Sequence, residues 1–265
     1  MLDAVTQFIK NAAREELLPR FADIKRNFKS DGSIVTEADL AMQNRLTKEL
    51  TAFAPAYHVL GEEMTEQDQL ALIESGDMGF WCLDPLDGTS NFAAGIPFFT
   101  VSLALVLHRE PVLGIIYDPI RDECFTAIKR QGAWLNGTPL HCEPASLPLN
   151  RAMAVVDLKR LGNLASRLAI SPPYSSQRNF GSVTLQWCWL AANRYHVYLH
   201  GRQKLWDYAA GALILREAGG FSETLDGEVI LNHDLQPHSA MAACDPTLFN
   251  AWKDWLNSQL AGNPA

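Results

Sequence analysis

Asp84 and Asp87 stand three residues apart in the run Asp84-Pro85-Leu86-Asp87-Gly88-Thr89-Ser90. Carboxylates at that spacing can share hard cations, with Pro85 stiffening the turn and Gly88 letting the backbone approach a ligand closely. Mg2+ takes carboxylate, carbonyl and water oxygens, and the Leu86 carbonyl lies between the two side chains as a further donor. The N–H groups of Gly88, Thr89 and Ser90 follow directly and can cradle phosphate oxygens, the more so if a helix begins there. The same run also suits an Asx turn, because D-P and D-G pairs are common turn formers. Taken alone, it fits either reading.

Two distant segments bear on the choice. Gly61-Glu62-Glu63 ends a short apolar run, and Trp206-Asp207-Tyr208-Ala209-Ala210-Gly211 opens a helical pattern. Each has a plain reading by itself: a solvated acidic loop for Glu62 and Glu63, and an N-cap for Asp207. Their joint occurrence with the acidic turn favours a metal site.

The combination resembles the inositol monophosphatase-like superfamily of Mg2+-dependent, lithium-sensitive phosphatases, from Lys29 to Gly220. The family pattern of G-E-E, D-P-(I/L)-D-G-T-(S/T)-N-F, W-D-x-A-A-G and E-A-G-G stands here as Gly61 to Glu63, Asp84 to Phe92, Trp206 to Gly211 and Glu217 to Gly220. The resemblance implies that Glu62, Asp84, the Leu86 carbonyl, Asp87 and Asp207 hold two or three Mg2+ ions. It places Thr89 beside the attacking water, and Asp39 as a carboxylate that tunes Glu62 and Thr89. Lys29, in Lys29-Ser30-Asp31-Gly32-Ser33, matches a lysine on a mobile loop that closes over the site. A sugar-phosphatase-like layered αβαβα sandwich, inhibition by Li+ and a homodimer are implied as well. The reaction implied is direct attack of a metal-activated water on a small phosphate monoester, inositol monophosphate or a similar sugar or polyol phosphate.

Substrate choice rests on the second half of the chain. Counting back from Trp206 places Gly181, Ser182 and Val183 where inositol-type members contact the sugar ring. His200 stands where such members carry a Glu that grips ring hydroxyls. A carboxylate accepts two hydroxyl hydrogen bonds, whereas neutral imidazole accepts one and donates one. His200 therefore either meets substrate or packs at a strand end. Arg202 and Lys204 nearby either meet a second anionic group or are simply solvated. Fructose bisphosphatase, 3'(2'),5'-bisphosphate nucleotidase and histidinol-phosphatase activities remain alternatives within the superfamily.

The elements that must position these residues follow from periodicity. Apolar residues at three- and four-residue spacing predict helices from Leu2 to about Arg20 and from Leu40 to Phe53, the second entered through Thr36-Glu37-Ala38-Asp39. Val59-Leu60 and Phe80 to Leu83 read as strands that end in acidic residues. Phe99 to Leu107, Val112 to Tyr117 and Glu123 to Ile128 read as an antiparallel meander, and Asn136-Gly137 as a hairpin turn. Then strands at Ala152 to Val156 and Tyr195 to Leu199 alternate with helices at Leu161 to Leu168, Val183 to Ala192 and from Asp207 to the stop at Gly219-Gly220. Short strands near Val229 and Ala240 precede a final helix from Pro246 to about Gln259. The pattern is α/β (α+β). Pro144 and Pro148 suggest a boundary between an N-terminal metal- and phosphate-binding subdomain, 1–148, and a C-terminal subdomain, 149–265, that contributes Asp207.

Bulk properties narrow the partners. The 30 acidic residues against 22 basic ones give a formal net charge of -8, which disfavours extended nucleic-acid binding and suits cations and small ligands. The N-terminal stretch carries Asp3, Lys10, Arg14, Glu15 and Glu16, so it reads as neither secretion signal nor membrane span. That stretch points to a cytoplasmic protein, and five scattered cysteines without a C-x-x-C pair suggest reduced, mostly buried thiols. Trp187 and Trp189 read as core or dimer contacts.

Two rival readings differ in class. A haloacid dehalogenase-like phosphatase needs D-x-D, whereas the spacing here is D-x-x-D, which turns the carboxylates differently on a strand. A regulatory binding protein could keep the phosphatase fold without its chemistry.

Overall fold

The computed structural model describes residues 1–21, 23, 27–28, 34–75, 79–230 and 235–261. Lys29 and its loop lie outside the described residues. Helix α1 (Leu2–Ala12) continues in tighter and looser turns to Arg20, and a short hairpin of β1 (Asn27–Phe28) and β2 (Ile34–Val35) leads to α2 (Glu37–Phe53). Strand β3 (His58–Gly61), α3 (Glu66–Ser75), β4 (Phe80–Asp87) and α4 (Thr89–Ala93) precede the meander β5 (Thr100–Leu107), β6 (Glu110–Asp118), β7 (Glu123–Ile128), β8 (Gly132–Leu135) and β9 (Thr138–Leu140). The second half runs β10 (Met153–Asp157), α5 (Asn163–Ile170), β11 (Ser176–Arg178), α6 (Val183–Ala191), β12 (Val197–Gln203), α7 (Leu205–Glu217), β13 (Phe221–Glu223), β14 (His238–Ala243) and α8 (Pro246–Ala261).

Strands β3 to β9 form a seven-stranded sheet in sequence order, antiparallel except for the β3–β4 pair. The other large sheet has five strands in the order β11-β10-β12-β14-β13, with β10, β11 and β12 parallel. Strand alternation sorts side chains to opposite faces. Trp81, Leu83, Leu103 and Ile115 of the first sheet pack with Val5, Ile9, Met42 and Leu46 of α1 and α2. Their neighbours Cys82, Ala104 and Ile116 face Trp187, Ala210 and Leu213 of α6 and α7, which also receive Val155 and Tyr198 of the second sheet. Val156, Leu199 and Met241 then cover α5 and α8 through Leu168, Trp252 and Leu256. The result is the expected αβαβα layering.

The meander and the long helices match their periodicity. Asn136 and Gly137 both take positive φ, 50° and 79°, as the hairpin requires. Three expectations are corrected. Val229 is 73% exposed; the strand beside β14 is Phe221–Glu223, and the chain turns at Thr224–Glu228 before reaching Val229. Asp207 lies in the first turn of α7, with Lys204 at the cap. Cys142 and Cys244 form a disulfide across 102 residues with Cα atoms 4.9 Å apart. Only the fold brings that pair together, so local spacing carried no sign of it; Cys82, Cys124 and Cys188 are free and buried. No helix among the described residues is long and apolar enough to cross a membrane.

The middle layer depends on close approach of α6 and α7. A Cβ on Gly211 would come within 2.5 Å of Trp187 Cβ and 2.6 Å of its Cγ, the immobile root of that side chain. Alanine in a helix gains about 1 kcal/mol over glycine, whereas overpacking a tight core costs about 1–3 kcal/mol. Gly211→Ala should therefore lower the denaturation midpoint in urea despite its better helix propensity; a raised midpoint would contradict the packing.

Candidate active site

Strand β4 carries the acidic turn, and its irregularity makes the turn usable. Asp84 pairs with Ser102 of β5, and Asp87 with Thr100. Three steps on β4 thus match two on β5, a bulge at Pro85 and Leu86. On a regular strand, residues three apart face opposite sides; the extra residue returns Asp84 and Asp87 to one side. Pro85 has no N–H to give the ladder and sits where the ladder is interrupted.

Strand β3 lies parallel to β4 with Gly61 opposite Leu83, and the Glu62 N–H continues the pairing to the Leu83 carbonyl at 3.1 Å. Glu62 therefore arrives beside Asp84. Asp207 comes from the second half, where α7 begins directly after β12, and its Oδ2 accepts the Lys204 N–H at 2.8 Å. The Trp206 carbonyl meets Ser102 Oγ of β5 at 3.4 Å, joining that first turn to the first sheet.

These carboxylates feel one another. Burial pushes the Asp84 carboxyl well above the usual carboxylate range, and the charges of Glu62, Asp87 and Asp207 push the same way against the Leu86 N–H on Oδ1. Asp207 is raised by burial, then by Asp87 and Glu62. Acidic oxygens under mutual repulsion, with a backbone carbonyl among them, make a donor set that fits a hard divalent cation. Among the described residues, no three His, Cys, Asp or Glu side chains are drawn together as a finished ligand cluster. Protein donors hold the aspartates instead, each by one oxygen.

Asp87 is held most firmly. Its Oδ2 accepts Ser182 Oγ at 2.6 Å, Thr184 N–H at 2.8 Å and Thr184 Oγ1 at 2.8 Å. Ser182, which the resemblance sets against substrate, is fully buried and donates its hydroxyl to Asp87. Thr184, also bonded to Thr100, was not singled out in the sequence; the only sign was a hydroxyl at the start of a helix. Asn91 was likewise overlooked: its Nδ2 donates to the Phe98 and Phe180 carbonyls at 2.8 and 2.7 Å, tying the approach to α6 onto α4.

Thr89 Oγ1 lies 2.9 Å from both Asp39 Oδ1 and the Leu86 carbonyl, and its single proton serves one at a time. Asp39 is positioned by a capping box: Thr36 N–H and Oγ1 reach its Oδ2 at 2.7 and 2.5 Å. Burial raises the Asp39 carboxyl, while the bonds from Thr36 and Thr89 oppose the rise. Gly88 adopts φ 92°, and a Cβ there would stand 2.8 Å from the Phe98 carbonyl. Helix α4 starts immediately after it, with Thr89 half-buried and Ser90 exposed. Gly181 is exposed and Val183 half-buried at the mouth of α6.

His200 is only 2% exposed. Its Nε2 lies 3.0 Å from Asp157 Oδ2, and its Nδ1 accepts the Arg202 N–H at 3.2 Å. Both ring nitrogens thus have partners inside the protein, which favours the second of the two readings, a ring packed at the strand end. The reason is register, since Asp157 pairs with His200 across β10 and β12. An open, mostly apolar pocket of about 720 Å³ lined by Leu2, Tyr57, Leu105, Leu107, Val112 and Ile128 lies at the far end of the first sheet from the carboxylates.

A sequence model of the Inositol monophosphatase family matches residues 1–261. The chain is 34% identical over 212 residues to an inositol monophosphatase of Mesembryanthemum crystallinum, covering 74% of this chain and 76% of the relative. It is 32% identical over 210 residues to the Nus factor SuhB of Pasteurella multocida, covering 75% and 74%. The solved structure of a Thermotoga maritima IMPase superposes with a TM-score of 0.83 at 25% identity, covering 98% of this chain and 97% of that one.

Raised carboxyls bind protons more tightly in the native than in the unfolded chain. Without a divalent cation, stability should therefore fall as pH rises from the ordinary carboxylate range through the raised values of Asp84 and Asp207. Mg2+ that binds only the native chain should restore it. Thermal melts should show a larger Mg2+-induced rise in Tm at about pH 8 than at about pH 5, where protons compete for the same oxygens. Equal rises at both would contradict the shared site.

Proposed function

Because the chain belongs to the inositol monophosphatase family and is thereby a phosphoric monoester hydrolase, we propose that it uses Mg2+ to hydrolyse a small phosphate monoester, inositol monophosphate or a similar polyol phosphate, by direct attack of water. The observation that carries this reading is the approach of Glu62, Asp84, Asp87 and Asp207 from three distant segments to the Thr89–Asp39 pair.

Glu62, Asp84, the Leu86 carbonyl, Asp87 and Asp207 would hold two or three ions. Bound there, Mg2+ supplies neutralisation of the phosphate oxygens, acidification of water and stabilisation of the leaving oxygen. The N–H groups of Gly88, Thr89 and Ser90 receive the phosphate, since the first turn of a helix leaves such groups without intrahelical acceptors. Thr89 orients the attacking water and passes a proton toward Asp39, whose raised pKa suits it to accept one. Ser182 and Thr184 keep Asp87 in register, and Gly181 and Val183 border the leaving group. Lys29 would belong to a closing loop, and Li+ would inhibit by competing for the carboxylates.

We assign 1–148 and 149–265 to two halves divided near Pro144 and Pro148, place the protein in the cytoplasm on the charged N-terminal stretch, and take a homodimer from the family resemblance. Within the superfamily, fructose bisphosphatase, bisphosphate nucleotidase and histidinol-phosphatase activities are the alternatives. The likeness to a Nus factor favours one second reading, a regulatory binding role on the same fold.

Phosphate release from a panel of inositol, sugar and nucleotide phosphates, with Mg2+ and with added Li+, separates these. Release that needs Mg2+ and falls with Li+ is expected; release from none of them would favour the binding role. Thr89→Ala should lower kcat by roughly 100-fold or more while the far-UV spectrum is unchanged. Single-turnover hydrolysis in 18O water should place the label in phosphate without a trapped aspartyl phosphate, and Asp87→Asn with near wild-type kcat would remove Asp87 from the metal site.

A further inference from the structure

Strands β10, β11 and β12 run parallel, so their C-terminal ends share one edge of the second sheet, the edge at which α/β sheets receive ligands. The acidic turn meets that edge, because Ser182 beyond β11 bonds Asp87 and Asp207 follows β12. Apart from Asp157, which closes β10, the charged residues at the ends of all three strands are cationic. Arg178 closes β11, Lys159 and Arg160 follow β10, and Arg202 and Lys204 bracket the end of β12. In a chain of net charge -8, this is a local reversal of sign beside the catalytic carboxylates.

The packing holds these cations together. A Cβ on Gly201 would fall 1.8 Å from the Arg160 carbonyl, so only glycine lets the loop after β10 lie directly on β12. Arg160 Nη1 then donates to the Arg202 carbonyl at 2.9 Å. Its Nε stands 3.9 Å from Asp157 Oδ2, but that carboxylate is already engaged by His200 at 3.0 Å and by the Lys159 N–H on Oδ1. Arg202 and Lys204 are exposed, and neither has an ion pair among the described residues.

Guanidinium and ammonium groups donate only, so they match acceptor-only anions better than hydroxyls. The reacting phosphate belongs to the acidic turn, which leaves these cations for something else on the substrate. We propose that Arg160, Arg202 and Lys204 bind a second anionic group, so that among small sugar and polyol phosphates the enzyme favours those that also carry another phosphate or a carboxylate. His200, locked to Asp157, offers a ring hydroxyl nothing in competition. The inference rests on the phosphatase reading of the site.

Two matched pairs test it on the full chain with Mg2+: fructose 1,6-bisphosphate against fructose 1-phosphate, and 3-phosphoglycerate against glycerol 3-phosphate. In at least one pair the doubly anionic member should lead in kcat/KM by about tenfold, equivalent to about 1.4 kcal/mol, and its lead should shrink with added salt. The pair that shows the lead identifies the second group as phosphate or carboxylate. Arg202→Gln with Lys204→Gln keeps the backbone N–H groups that hold His200 and Asp207, and should bring the ratio close to one through KM rather than kcat. Arg202→Gln alone is read in the same way if the double variant does not fold.

A ratio that is the same in variant and wild type, or no lead in either pair, overturns the proposal. If the wild type hydrolyses none of the four compounds and no inositol or nucleotide phosphate either, the phosphatase reading fails separately. Calorimetric titration of fructose 1,6-bisphosphate against fructose 1-phosphate then decides on binding alone: a preference lost in the variant supports the cationic subsite, and equal affinities sink it.

Discussion

Like charges repel, and the site gathers Glu62, Asp84, Asp87 and Asp207 where burial weakens the screening by water. The surrounding structure can be understood as the restraint that opposes this repulsion. Two adjacent strands of one sheet fix Glu62 beside Asp84, the first turn of a helix fixes Asp207, and three donors fix Asp87. Each of these contacts lies just past the end of a strand or at the start of a helix. The carboxylates are therefore presented to a cation by elements whose own stability comes from the apolar layers behind them.

Asp87 also joins the two halves. It belongs to the first sheet, yet every donor on its Oδ2 comes from residues at the start of α6, and Asn91 repeats the connection by holding the Phe180 carbonyl. The middle helices share one apolar cluster with both sheets. A movement of α6 relative to β4 would thus be felt first at a single carboxylate oxygen.

How much of this could be read from residues alone depends on how local the information was. The turn from Asp84 to Ser90 was legible because its chemistry lies in consecutive residues, and the layering followed from alternation along the strands. Thr36 to Asp39 announced a helix start, and the capping box that holds Asp39 is there. Long-range register was not legible. His200 could be read either way because nothing in its neighbourhood names Asp157, which reaches it only through the pairing of β10 with β12. Nothing near Ser182 names its partner Asp87 either, and the Cys142–Cys244 bridge spans too much chain for spacing to suggest it. Val229 misled in another way: an apolar pair after a turn resembles a short strand, but β14 had already taken Phe221–Glu223 as its partner.

The bulge in β4 makes the site a matter of counting. Side chains on a strand alternate between two sides, so one surplus residue between Asp84 and Asp87 decides whether they serve the same side. Leu86 could be exchanged for another apolar residue of like size, because what it lends Thr89 is a backbone carbonyl. Losing or gaining one residue at that point would turn Asp87 toward the apolar layer while leaving the composition of the strand nearly unchanged. Position 86 should therefore vary among apolar residues, while the segment hardly changes in length.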